Sequence, residues 1–171
     1  MNITKSLTGR FSGLQKNSKQ FIIVHDTASG SATLNAILRF FALSNSVSIH
    51  YVIGKAGEIV QMVDEDKVAW HCGNSMWEGI TFMNRCSIGI EVLSDGKEYT
   101  QAQRIATWEL CKDIMRRNKI QPHNVLRHAD IAMPRGRKQD ISLPFYKPWG
   151  DTWAGFQSSL SWTNPFNNLP K

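Results

Sequence analysis

The chain has 171 residues, 42% of them hydrophobic and 20% charged, which fits one globular domain with one substantial core. No apolar run approaches membrane-spanning length, and the polar start "MNITKSLTGRFSGLQKNSKQ" lacks the apolar stretch of a secretory leader, so neither a membrane span nor a signal peptide is expected. A formal net charge of +6 calls for an acidic partner: nucleic acid, an anionic membrane, or a carboxylate- and phosphate-bearing polymer such as a cell wall.

"QFIIVHDTASG" holds an apolar run, Phe21 to Val24, that stops at His25 and gives way to small turn residues. A continuous run of this kind predicts a buried central strand with His25 at its C-terminal edge. From Ser31 the period changes. Leu34, Ile37, Leu38 and Phe41 follow the i, i+3, i+4, i+7 spacing of a helix with one apolar stripe. "VSIHYVIGKAGEIVQMV" predicts a hairpin closed by a Gly-containing loop.

"CSIGIEVLSDG" predicts another strand. Ile88, Ile90 and Val92 share one face; Ser87, Gly89 and Glu91 share the other, which predicts open space above Glu91. "YTQAQRIATWELCKDIMRRNK" predicts a helix, with a capping box at Thr100 and Gln103 and an apolar stripe near Ile105, Trp108 and Met115. Arg116, Arg117 and Lys119 complement the dipole of its last turn. A short run, "NVLRH", follows. Residues 151–171 show no periodicity. The order of elements predicts an α/β, or mixed α+β, single domain: a central mixed sheet flanked by helices.

Cys72, Cys86 and Cys111 are an odd, widely spaced set with no C-x-x-C. A disulfide framework is not expected and reduced thiols are, although a single Cys72–Cys86 bridge stays open.

The histidines are His25, His50, His71, His123 and His128. There is no H-E-x-x-H, no P-loop and no G-x-G-x-x-G. A metal site would therefore draw its ligands from separate strand ends and loops. His25 and His128 both stand where a strand should end. Asp130 lies too close to His128 for an easy common bite, whereas Asp140, beyond a Pro- and Gly-bearing loop, is free to return. Spacing alone makes this a weak signal.

The motifs "IIVHDTA", "SIHYVI", "GEIVQMVDEDKVAWHCG", "NRCSIGIEV" and "RHADIA…RKQD" occur in order from about residue 20 to about residue 145. Together they resemble the zinc-dependent N-acetylmuramoyl-L-alanine amidases of the type 2 amidase and peptidoglycan-recognition superfamily. The resemblance implies one Zn2+ per chain, held by His25, His128 and Asp140. It implies Glu91 as the catalytic carboxylate and Lys138 as a cation for the oxyanion. Trp70, His71 and His50 would be the substrate-binding residues, with Trp70 and His71 lining the groove and His50 near the zinc shell but not a ligand. Arg127, Arg135 and Arg137 are left as solvated loop charges or as long-range attraction for an acidic wall.

Two departures stand out. Many relatives continue from the last ligand as D-P-G, whereas this chain reads "DISLPF". Ile49 stands where some phage members carry a catalytic tyrosine, which leaves the burden on Glu91.

The resemblance implies three parts: a polar segment 1–18, a zinc amidase domain 19–150, and a tail 151–171 packing on or extending it. It implies a monomer acting on peptidoglycan or muropeptides. The absent leader and the basic charge suggest a phage-type, bacteriolytic endolysin. Such a protein waits in the cytoplasm and reaches the wall after membrane permeabilisation. The alternatives are a cytoplasmic recycling amidase on anhydro-muropeptides and a non-catalytic peptidoglycan-binding module. No motif supports nucleic-acid binding.

Overall fold

The computed structural model describes residues 1–7, 12–95 and 97–163. Its centre is a six-stranded mixed sheet. In chain order its strands are β1 (Ile3–Lys5), β3 (Phe21–Asp26), β4 (Tyr51–Ile53), β5 (Ile59–Gln61), β9 (Ser87–Val92) and β10 (Val125–Arg127). Their spatial order is β1-β5-β4-β9-β3-β10. Strands β4, β9, β3 and β10 run parallel, and β5 runs antiparallel to β4.

All six residues of β3 are buried, as its unbroken apolar run predicts for a strand covered on both faces. The predicted hairpin is the β4–β5 pair. Its loop closes through Gly54 N–H to Glu58 O and Gly57 N–H to Gly54 O, with Gly57 at φ +85°.

Alternation splits the sheet into two faces. Ile22, Val24, Ile88 and Ile90 face α2 (Gln101–Asn118), α4 (Leu143–Tyr146) and α5 (Trp153–Ser159), among Leu110, Ile114, Phe145 and Phe156. Each such fully buried side chain contributes about 1.5–3 kcal/mol of transfer free energy. Thr100 caps α2 with the predicted box: its hydroxyl accepts from Gln103 N–H, and Gln103 reaches back to Thr100 N–H. The buried stripe of α2 runs through Gln103, Ala106, Thr107, Leu110 and Ile114. Trp108 and Met115 are buried too, but Ile105 is only half-buried.

The other face carries two separate apolar clusters. Phe21, Ile23, Met83, Leu126 and Ile131 form one. Ile49, Val52 and Leu93 form the second with Ile37 and Phe41 of α1 (Leu34–Leu43). The gap between them, over β3 and β9, is where the polar site lies.

Several elements lie outside the predicted order. β1 adds an edge strand beside β5. β2 (Ser12–Lys16) pairs with β6 (Lys67–Val68), and β7 (Met76–Trp77) pairs with β8 (Ile80–Thr81). In the tail, Trp153, Phe156 and Leu160 are buried with Trp149 in the same cluster as the sheet; residues 164–171 lie outside the described residues. Cys72, Cys86 and Cys111 are all free and buried. Among the described residues, no helix is long and apolar enough to cross a membrane.

Candidate metal centre

His25 is the fifth residue of β3 and shares the face of Phe21 and Ile23. His128 opens α3 (His128–Ile131), directly after β10, so two neighbouring parallel strands deliver one imidazole each. The chain then leaves on a loop and returns. Asp140 O accepts from Ala129 N–H at 2.7 Å, and Ile141 is sealed into the core behind it. This anchoring gives the "DIS" departure a physical role.

One donor atom from each of His25, His128 and Asp140 lies within 4.8 Å of the other two. Asp140 Oδ2 is 3.1 Å from His128 Nδ1 and 3.7 Å from His25 Nδ1. His128 Nε2 faces Cys72 O at 3.2 Å, so its proton resides there and Nδ1 keeps a free lone pair. Burial, the neighbouring His128 and His71, Lys138 and His50 hold His25 well below the usual imidazole range. A neutral imidazole is the form that binds metal. Two imidazoles and a carboxylate are a donor set for zinc, with a fourth position left open. The donors present therefore fit the ion.

Glu91 sits beside His25, paired with it in register across β9 and β3. Burial pushes its carboxyl well above the usual range. The charges of Asp140 and Asp26 add to this, and Lys138 opposes it. Lys138 itself is exposed, on the loop two residues before Asp140.

Two residues before Glu91, the strand is covered at Gly89. A Cβ there would meet His71 Nδ1 and Ile49 Cδ1 at 2.6 Å each. Small residues on β9 admit a ring from another segment. That ring, His71, is half-buried, and its Nδ1 lies 2.9 Å from His25 Nε2. Its backbone is fixed by Asn84, whose Oδ1 accepts from His71 N–H at 2.9 Å and Cys72 N–H at 2.8 Å.

Trp70, next to it, is 38% exposed. His50 does not reach a groove: it is 0% exposed. It donates from Nε2 to Lys67 O at 3.0 Å and accepts at Nδ1 from Gly89 N–H at 3.0 Å. Burial, against the opposing Lys67 hydrogen bond, lowers its pKa to about 4. A substrate-binding place for His50 is thus corrected: the ring is sealed behind the strands it braces.

Asp130 stays out of the cluster, as expected, and the reason is Arg127, which holds it with Nη2 to Oδ1 at 2.5 Å and Arg127 N–H to Oδ2 at 2.9 Å. Arg127 is therefore not a solvated charge. Arg137 is no free loop charge. It donates to Met133 O at 2.8 Å, Asn74 O at 2.7 Å and Cys72 O at 3.2 Å. No sequence signal marks such a role, because the acceptors are backbone carbonyls more than sixty residues away in the latter two cases.

The fold and donor cluster define a mixed α/β protein in which two histidines at strand ends and one loop aspartate could hold a single metal ion. The sequence profile of the N-acetylmuramoyl-L-alanine amidase family, Amidase_2, matches residues 15–143, and the chain belongs to that family. It is 36% identical to N-acetylmuramoyl-L-alanine amidase AmiD of Escherichia coli (strain K12) over 146 residues, 75% of this chain and 50% of AmiD. It is 39% identical to 1,6-anhydro-N-acetylmuramyl-L-alanine amidase AmpD of the same organism over 116 residues, 67% of this chain and 59% of AmpD. The chain thus spans half to three-fifths of the length of these curated relatives. The E. coli AmiD structure in complex with anhydro-N-acetylmuramic acid-L-Ala-D-gamma-Glu-L-Lys superposes with a TM-score of 0.68 at 31% identity. That match covers 86% of this chain and 60% of the other.

Proposed function

We propose that the protein hydrolyses the amide between N-acetylmuramic acid and L-alanine in peptidoglycan, using one zinc ion. The observation that carries this reading is the convergence of His25, His128 and Asp140 with Glu91 one strand away, in a chain of this family.

His25, His128 and Asp140 would hold the zinc, which supplies a Lewis acid for the scissile carbonyl and lowers the pKa of water. Glu91 accepts a proton from the attacking water and returns it to the leaving L-alanine amine. Burial raises its pKa, which strengthens it as a proton acceptor. Lys138, exposed on the loop between two of the donors, offers a cation to the developing oxyanion. Trp70 offers a flat, half-open ring at the rim. All three donors and the carboxylate are present, which argues against a purely binding module.

Digestion of purified cell walls by zinc-loaded protein should release new L-alanine N-termini without new reducing sugar ends. Chelation should stop the release and zinc should restore it. No release from metal-loaded protein would overturn the proposal.

The net charge of +6 favours the acidic wall polymer, the substrate of a bacteriolytic endolysin acting after membrane permeabilisation. A second reading, cleavage of soluble anhydro-muropeptides, is favoured by the names of the relatives and by the ligand in the AmiD complex. Rates on intact sacculi and on soluble anhydro-muropeptides separate the two. Strong preference for the fragments overturns the endolysin role and leaves the amidase reading intact.

A further inference from the structure

We propose that His71 is a positioning residue that fixes the tautomer of His25, through a one-way chain of hydrogen bonds ending at a backbone carbonyl. This goes beyond a groove-lining part for His71 and rests on the metal reading above.

The argument starts at the far end. Ser87 Oγ donates to Met83 O at 2.6 Å, which uses the only proton the hydroxyl has. Ser87 can therefore only accept from its next neighbour, His71 Nε2, at 3.4 Å. A neutral imidazole carries one proton, and this contact places it on Nε2. His71 Nδ1 is then a bare acceptor. Its two neighbours are both able to donate: His25 Nε2 at 2.9 Å and the Cys72 thiol at 3.3 Å. His25 must carry its own proton on Nε2 to fill this bond. That leaves His25 Nδ1 bare, and Nδ1 is the atom turned toward Asp140 Oδ2.

The reverse tautomer would place a proton on His25 Nδ1, in the middle of the donor cluster, and block it. Ligating histidines usually donate their second N–H to a carboxylate or carbonyl. Here the acceptor is another imidazole, which can serve only while the Ser87 end holds its polarity.

The rest of the fold is built around this ring. Gly89 leaves the space, since a Cβ would stand 2.6 Å from Nδ1 and 2.7 Å from Cγ of His71. Asn84 pins the backbone of residues 71 and 72. His50, the ring's other aromatic neighbour at 5.6 Å between centroids, is locked by Lys67 O and Gly89 N–H and does not compete for Nδ1.

The test reads zinc affinity, by competition with a chromophoric chelator, and not activity alone. His71→Phe keeps a ring but removes the acceptor, and should weaken zinc binding about 10–100-fold. His71→Asn, whose amide oxygen can replace Nδ1, should recover most of the loss. Gly89→Ala, which displaces the ring, should weaken binding in the same direction. Independently of any variant, long-range 1H–15N spectra of wild-type protein should show both His25 and His71 protonated on Nε2. Zinc affinity of His71→Phe within about twofold of wild type, or a proton on Nδ1 of His71, overturns the proposal while the metal reading stands. Wild-type protein that takes up no zinc overturns both.

Discussion

His128 and Arg137 meet on a single acceptor: Cys72 O receives His128 Nε2–H and Arg137 Nη2, each at 3.2 Å. Both lone pairs of the carbonyl are engaged. Arg137 also reaches Asn74 O and Met133 O, so the loop that brings Asp140 back is tied to the segment that carries His71.

Arg137→Ala should therefore act on the metal centre without touching a ligand. The expected effect is about a tenfold loss of zinc affinity. Because the guanidinium is exposed, the stability cost should be modest, about 1 kcal/mol. Arg137→Lys should not restore affinity, since an ammonium cannot span three carbonyls as a fork does. Chelator competition and thermal melting check both parts. Affinity unchanged in the alanine variant would show that the loop holds Asp140 by other means.

Glu91→Gln preserves shape and removes the proton acceptor. The rate on wall substrate should fall about 10²–10⁴-fold while the protein still binds zinc and melts as wild type does. Zinc content is measured alongside turnover. A variant that keeps near-normal turnover with full zinc would take Glu91 out of the chemistry.

Far from the site, Glu65 accepts Arg117 Nη1 at 2.6 Å, Arg117 Nη2 at 2.9 Å and Tyr51 Oη at 2.7 Å. Burial alone would raise its pKa, but the Arg117 and Tyr51 hydrogen bonds, the Arg117 charge and Asn118 outweigh it. The folded value lies below the reference of 4.5. Ionised Glu65 thus stabilises the fold above the unfolded value, and that contribution is lost as pH falls through the lowered one. Urea midpoints should drop as pH falls below the reference value of 4.5. Glu65→Gln should cost about 1–2 kcal/mol at neutral pH, since half-exposed Arg117 loses a charged acceptor but keeps Asp113 at 2.8 Å, and should flatten this acid limb. An unchanged limb in the variant would assign the acid sensitivity to other carboxylates.

What was legible in the sequence is what local pattern encodes. The buried run before His25, the alternation around Glu91 and the capping box at Thr100 each depend on residues within one element, and each stands where predicted. The illegible parts depend on partners distant in the chain. Strands of two or three residues, such as β1 and β6, exist only through pairing and have no period of their own. The neighbours of Gly89 are illegible for the same reason. Small side chains announce a vacancy, but not that His71 and Ile49 arrive to fill it. Arg137 looked like a solvated charge because backbone carbonyls leave no trace in side-chain patterns.

The tail gives the last case. Seven residues of α5 are too few to show a helical stripe, so "TWAGFQSSL" reads as irregular. Yet Phe156 is fully buried, between Trp149 and Trp153 at ring-centroid distances of 4.9 and 4.6 Å, and 5.7 Å from Phe145 of α4. Trp153 Nε1 donates to Val125 O at 2.9 Å, which ties the tail to β10, the strand that leads into His128. Phe156→Ala should thus cost about 3–5 kcal/mol, the range for a large aromatic removed from a core that cannot collapse around the void. Removing residues 152–171 should cost more, and should lower the melting temperature and zinc affinity together, because β10 loses its cover. Calorimetry and zinc titration of both variants check this. A truncated chain that melts and binds zinc as the full chain does would make the tail an appendage and not part of the domain.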